Sequence, residues 1–241
     1  MKNKVKRICA AAVSSALMLS VISAAGVSAA ENGDGVWEFD FTTDTDFSQE
    51  QILGTDFEDG LYDITFTKQD SSRYADIYVN GAMVANNVDR SGYNRTVSSP
   101  ASVTVHDIEV TDGTIAVSME DTKAPYLSSV RVERADGERK TKVFVIGDSL
   151  VANYYGDTDD ENKAQSGWGQ VLDDFLSDDV EVVNLANGGH YASILYETAF
   201  PGVLAHGKEG DYVIIECGYN DTKYNPAASV SEIWFVSENV K

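Results

Sequence analysis

The sequence predicts an antiparallel β-sandwich followed by an α/β unit with a parallel sheet, behind an N-terminal export signal. Three observations carry this. From residue 36 to 135 apolar and polar residues alternate in short runs split by turn signals, the period-two pattern of half-buried strands. From Lys142 onward the apolar runs are continuous and separated by helix-spaced segments, as expected for parallel strands covered on both faces. Residues 1–30 have a basic start (Lys2, Lys4, Lys6, Arg7), an apolar stretch from Ile8 to Ala25, and Val27-Ser28-Ala29-Ala30, which suits cleavage after Ala29 or Ala30. The expected organisation is a signal peptide over 1–30, a sandwich over 31–140 and the α/β unit over 141–241.

The strands of the first unit follow in order. Val36–Phe41 and Leu61–Thr67 alternate, and Ala75–Val79 leads into Asn80-Gly81, a strong hairpin signal. Val103–Val110 and Thr114–Met119 flank Asp112-Gly113, read as a second such turn, and Leu127–Glu133 closes the series. Arg134–Lys140 is polar and reads as a linker. In the second unit, Val143–Ile146, Val180–Leu185 and Tyr212–Cys217 are expected strands. The spacing of Val171, Leu172, Phe175 and Leu176 predicts a helix over Trp168–Leu176. Ala192–Leu204 is expected to be helical to about Phe200, where Pro201-Gly202 interrupts it, and Ser229–Val240 to begin another helix.

Charge narrows the partners. The chain has 241 residues, with 18 Lys+Arg against 39 Asp+Glu and a formal charge of −21. Loss of the signal removes four basic and no acidic residues, leaving 14 against 39, or −25. This acidity argues against a nucleic-acid partner and against a polybasic membrane-surface role. No stretch after the signal is long and apolar enough to span a bilayer, so no membrane association is expected once it is cut. The mature chain is expected to be secreted and extracellular. Cys217 is its single cysteine, so no intramolecular disulfide is expected and no metal site is implied.

Chemistry gathers where the strands of the second unit end. The first is followed by Gly147-Asp148-Ser149, the second by Ala186-Asn187-Gly188-Gly189-His190, and the third by Gly218-Tyr219-Asn220-Asp221. In an open parallel sheet, ligands bind outside the carboxyl ends of the strands. A hydroxyl, exposed backbone N–H groups and a side-chain amide are what acyl transfer requires. Ser149 is the candidate nucleophile. The N–H groups of Ser149 and Gly189 and the Asn220 amide are candidate oxyanion donors. Asp148 and Asp221 read as structural carboxylates bonded to turn amides.

Val145-Ile146-Gly147-Asp148-Ser149-Leu150 resembles the first conserved block of the GDSL, or SGNH, hydrolases. Asn184–His190 is similar to the second block and Gly218–Asp221 to the third. Ser166-Gly167-Trp168-Gly169, and Asn220-Asp221 running on to Asn225-Pro226, resemble the rhamnogalacturonan acetylesterase branch, carbohydrate esterase family 12. The resemblance implies a flavodoxin-like SGNH sheet in the order 2-1-3-4-5, of which this chain supplies strands 1–3, and a sandwich of the galactose-binding-like kind. It implies a serine esterase that needs no cofactor and acts on an acetylated polysaccharide, first pectic rhamnogalacturonan and next acetylated xylan. That branch has Gly-Arg-Ser where this chain has Gly189-His190-Tyr191, and Gly-His-Asn-Asp where it has Tyr219. His190 and Tyr219 are therefore candidate substrate-binding residues.

The family's general base is the His of a C-terminal Asp-x-x-His, and no such motif occurs here. Of the three histidines, His106 falls in the sandwich, His206 precedes the third strand, and His190 alone stands at the correct end of the sheet. The expectation is an esterase cut off before its base and inactive as given, with His190 as the minor alternative. A different reading makes the sandwich a non-catalytic carbohydrate-binding module, with Trp37, Tyr62, Tyr74, Tyr78 and Tyr93 as a stacking surface and the rest an inactive remnant.

Overall fold

The structure is a computed structural model that describes residues 28–31, 35–42, 44–68, 75–88, 102–120, 127–154 and 166–221. Most of the expected signal, Tyr74, Tyr93, Asn225-Pro226 and the expected helix Ser229–Val240 lie outside the described residues.

The first nine strands are β1 (Ser28–Glu31), β2 (Val36–Asp40), β3 (Gln51–Gly54), β4 (Gly60–Lys68), β5 (Ala75–Val79), β6 (Ala82–Val88), β7 (Ser102–Val110), β8 (Ile115–Glu120) and β9 (Leu127–Arg134). They form two antiparallel sheets, ordered β1-β2-β9-β4-β7 and β3-β8-β5-β6. Alternation decides which side chains point inward. In β4, Tyr62, Ile64 and Phe66 are buried while their neighbours are not, and in β5 the same holds for Ala75, Ile77 and Val79. The two inward faces share one core with Phe39, Phe47, Ile115, Val130 and Val132.

Asn80 (φ 50°) and Gly81 (φ 74°) make the tight β5–β6 hairpin with Val79 opposite Ala82, as the primed turn requires. Asp112-Gly113 departs from expectation. β7 pairs with β4, whereas β8 pairs with β3 and β5, so this turn carries the chain from one sheet to the other and closes no hairpin. Gly113 (φ 74°) is required there, since a Cβ would stand 3.0 Å from the Thr55 carbonyl oxygen. β1 pairs along the outer edge of β2, so the cleavage points expected after Ala29 and Ala30 fall within this strand.

β10 (Thr141–Gly147), β11 (Val180–Asn184) and β12 (Tyr212–Glu216) form a parallel sheet in the order β11-β10-β12. β10 lies in the middle and is buried from Lys142 to Gly147. The helix α1 (Ala192–His206) continues through Pro201 instead of ending near Phe200. Its face Leu195, Ala199 and Val203 is buried with Phe144, Ile146, Leu185 and Met83 of β6, and this packing outweighs the hydrogen bond lost at proline. Gly202 sits where α1 meets β6, and a Cβ there would be 2.4 Å from the Met83 carbonyl oxygen. The expected helix over Trp168–Leu176 forms only two short 3-10 turns, Trp168–Val171 and Asp173–Phe175. Most of its apolar stripe finds no cover: Phe175 is 80% exposed, Val171 and Leu176 are exposed too, and Leu172 alone of the four packs on the core beside Val143 and Val145. A short amphipathic segment without burial does not hold a helix.

The segment read as a linker is tied down. The Arg139 guanidinium donates to both Asp211 carboxylate oxygens, at 2.9 and 2.6 Å, and to the His206 carbonyl. The sandwich and the α/β layer also meet through Lys142 Nζ on the His106 carbonyl oxygen (2.5 Å) and Asn86 Nδ2 on the Leu185 carbonyl oxygen (3.3 Å).

Candidate active site

Register brings the three polar strand ends together. Val145 of β10 lies beside Asn184 of β11, and Gly147 of β10 beside Glu216 of β12. The loops that follow are bonded to one another. Asn187 N–H donates to the Gly147 carbonyl (3.0 Å), and Asn220 Nδ2 donates to the His190 carbonyl (2.9 Å) and to Asp148 Oδ2 (3.4 Å). Asp221 Oδ1 accepts the Ala192 N–H at the start of α1 (3.1 Å). The segments carrying Ser149, Gly189, His190 and Asn220 thus form one contiguous patch at the carboxyl edge of the sheet.

Several side chains hold this edge in shape. Asp148 is fully buried and accepts the Leu150 N–H (2.9 Å), while its carbonyl accepts the N–H groups of Val151 and Ala152. This folds the chain sharply after β10 and leaves Ser149 half-buried on the turn, with no hydrogen-bond partner for its hydroxyl among the described residues. Gly147 permits the close approach of β12, because a Cβ would stand 2.8 Å from the Glu216 carbonyl oxygen. Asn184 braces the turn from below, donating to the Val151 carbonyl and to Asn153 Oδ1, both at 2.9 Å. Gly167 and Gly169 admit the neighbouring loop, since a Cβ at either would fall within 2.5 Å of the 151–152 backbone. Gly189 (φ 83°) and Gly218 (φ 129°) take left-handed conformations that favour glycine.

The Asn220 amide is 4% exposed, with both hydrogens directed to protein acceptors. In this state it stabilises the junction of the loops, and to serve an oxyanion it must trade one of these bonds. Tyr219 is 70% exposed beside it, and His190 is half-buried. The other two histidines stand away from the patch. His106 Nδ1 bonds Asp63 (2.9 Å) in the sandwich, and His206 ends α1 at the opposite end of the sheet.

Sequence reasoning passed over Glu216. Its carboxyl lies against Asp148, and burial first, then the Asp148 carboxylate, push its pKa up. Burial first, then Asp221, Glu216 and Asp148, push the half-buried Cys217 thiol pKa up. The available signal was a lone acid ending an otherwise apolar strand. Its meaning depends on the register that sets it beside Gly147.

With this geometry in place, residues 143–233 match the model of the GDSL-like Lipase/Acylhydrolase family. This segment is similar to the GDSL-like hydrolases. The chain is 29% identical over 190 residues to the uncharacterized esterase YxiM of Bacillus subtilis, covering 76% of this chain and 46% of YxiM. It is 34% identical over 87 residues to the rhamnogalacturonan acetylesterase RhgT of the same organism, covering 36% of each chain. The solved structure of B. subtilis YxiM superposes with a TM-score of 0.61 at 25% identity, over 86% of this chain and 56% of that one. The arrangement of antiparallel sheets followed by a parallel sheet is therefore shared with YxiM. The chain spans less than half the length of the curated relatives it matches.

Proposed function

We propose that this chain is the N-terminal part of a secreted carbohydrate O-acetylesterase, with its export signal over residues 1–30, a galactose-binding-like sandwich over 31–140 and the hydrolase unit from 141. The observation that carries the reading is the patch built from three strand ends, with Ser149 on the tight turn after β10 and Gly189 and Asn220 on the loops bonded to it. Ser149 attacks the acetyl carbonyl as the general base takes its hydroxyl proton; the bond from the acetyl carbon to the sugar oxygen breaks, that oxygen takes the proton, and water then releases acetate from the acetyl-serine. The Ser149 and Gly189 N–H groups and the Asn220 amide receive the negative charge on the carbonyl oxygen. The general base is a histidine from outside these 241 residues: His106 and His206 are bonded elsewhere, and His190 is assigned to the substrate side. His190 and Tyr219 border the sugar. The relatedness to RhgT favours acetylated pectic rhamnogalacturonan over acetylated xylan.

The test has two parts. The gene is read beyond the codon for Lys241, and the 241-residue and extended forms are assayed on an aryl acetate and on both polysaccharides. The extended form is expected to release acetate and the Ser149→Ala form to lose at least ~1,000-fold in kcat. Activity that survives this substitution overturns the nucleophile. An open reading frame that stops at Lys241, with acetate release by the 241-residue form, overturns the external base and turns attention to His190.

The binding-module reading gains no support from the described aromatic side chains. Tyr62 is fully buried, Trp37 packs on Phe57 and Tyr62, and the Tyr78 hydroxyl bonds Glu120.

A further inference from the structure

The segment 166–170 is fastened to the chain just after Ser149. Trp168 N–H donates to the Leu150 carbonyl (2.9 Å). Gln170 Oε1 accepts the N–H groups of Tyr154 (2.8 Å) and Gly167 (3.1 Å), while its Nε2 donates to the Tyr154 carbonyl (2.6 Å). Gly167 and Gly169, on either side of Trp168, lie so close to the backbone of Val151 and Ala152 that neither has room for a side chain. These contacts hold the Trp168 backbone within ~10 Å of Ser149.

The residue so fixed has a side chain that belongs to none of the described apolar clusters. Trp168 is 41% exposed, and its indole N–H has no partner among the described residues. Leaving it open forgoes the burial of a large apolar ring. Beside it Leu150, the residue after Ser149, is 55% exposed, and on the loop after β12 Tyr219 is 70% exposed next to Asn220. Single exposed apolar residues are ordinary, but three on the segments around one candidate nucleophile mark a binding surface.

We propose that Trp168, flanked by Leu150, is a stacking platform for a sugar ring that neighbours the acetylated one along the same polysaccharide. This rests on the esterase reading for the place of the acetyl group, and it adds a residue that selects polymeric over small esters. A pyranose has an apolar C–H face and a polar rim. The open indole meets the face, and its N–H is left to donate to a hydroxyl at the rim. A platform already held in place loses little freedom when the sugar arrives. A long acyl chain requires apolar surface on all sides, whereas Leu150, Trp168 and Tyr219 lie open to water.

The test has one arm that needs no hydrolysis. The full 241-residue chain carrying fluorotryptophan is titrated with oligosaccharides from deacetylated rhamnogalacturonan and from xylan, and Trp168→Phe identifies the Trp168 fluorine resonance. That resonance is expected to shift saturably with at least one oligosaccharide, and binding to weaken about ten-fold or more in Trp168→Ala. In the extended form, Trp168→Ala is expected to lose about ten-fold more kcat/KM on the acetylated polysaccharide than on an aryl acetate, through KM, with Trp168→Phe recovering most of the loss. No fluorine shift by about 10 mM oligosaccharide, or equal losses on polymer and aryl acetate, overturns the platform. A loss that falls instead on an aryl ester of a long acyl chain overturns the sugar and assigns the surface to an acyl chain. If the extended parent releases no acetate, the esterase reading fails, and the fluorine titration alone decides the platform. Should Trp168→Ala fail to fold, the fluorine shift of the parent decides.

Discussion

Asp148 and Glu216 press two carboxyl groups together beneath the turn that carries Ser149. A carboxyl whose pKa is raised on folding lends stability below its ordinary value and loses it as pH rises through the folded value. Glu216→Gln is therefore expected to raise Tm at neutral pH, with the gain shrinking toward pH 4; an equal gain at both pH values contradicts the pairing. His206 runs the other way. Its pKa falls from 6.5 to about 4 on folding, so the unfolded chain binds the proton more readily. Stability present above pH 6.5 is lost as pH falls toward 4, by ~3 kcal/mol in all. Urea unfolding of the parent and His206→Phe is expected to show that slope in the parent and its loss in the variant. At this scale the sequence revealed what short motifs spell out. Ser149, Gly189 and Asn220 stand at strand ends because glycine and turn residues follow apolar runs. The Asp148–Glu216 contact was hidden because it joins residues far apart in the chain through the β10–β12 register. The engagement of Asn220 with His190 and Asp148 was hidden for the same reason.

At the scale of elements, α1 shows where local preference gives way to packing. Pro201 marked a break in the sequence, yet Val203 beyond it is buried against Phe144 and Met83, and the helix continues. Pro201 is exposed, so Pro201→Ala is expected to stabilise the protein by ~1–3 kcal/mol through the recovered helical hydrogen bond. Gly202→Ala is expected to cost ~1–3 kcal/mol, because the new methyl runs into the Met83 carbonyl. Chemical denaturation of both variants checks the pair, and a neutral Gly202→Ala would show that the contact is not tight. The Trp168–Leu176 segment fails in the reverse way: its spacing is helical, but only Leu172 of its apolar side is covered. Strands that alternate cleanly, such as β4 and β5, were legible. β1 and β3, each four residues long, carry too little pattern to be seen without their partners.

For the whole molecule, the two-unit plan was legible because the hydrophobic period changes near residue 140. What alternation cannot report is how the units meet. On the described surface, Tyr212, Val213, Ile214 and Ile215 of β12 are all exposed, at the end of the order β11-β10-β12. Such a strand invites pairing with other chains. Ile214→Lys is expected to reduce self-association of the 241-residue form, measured by light scattering against concentration; no change would mean that another surface drives it. Met83 of β6 has a further consequence. It sits in the core of the α/β layer beside Phe144, Ile146, Leu185 and Leu195. The hydrophobic centre of the later unit thus includes a side chain made earlier in the chain, and an α/β unit produced without the sandwich starts with a hole where Met83 belongs. The order of the two units therefore sets an order in time: the sandwich, finished first, presents a ready wall against which α1 and β10 condense.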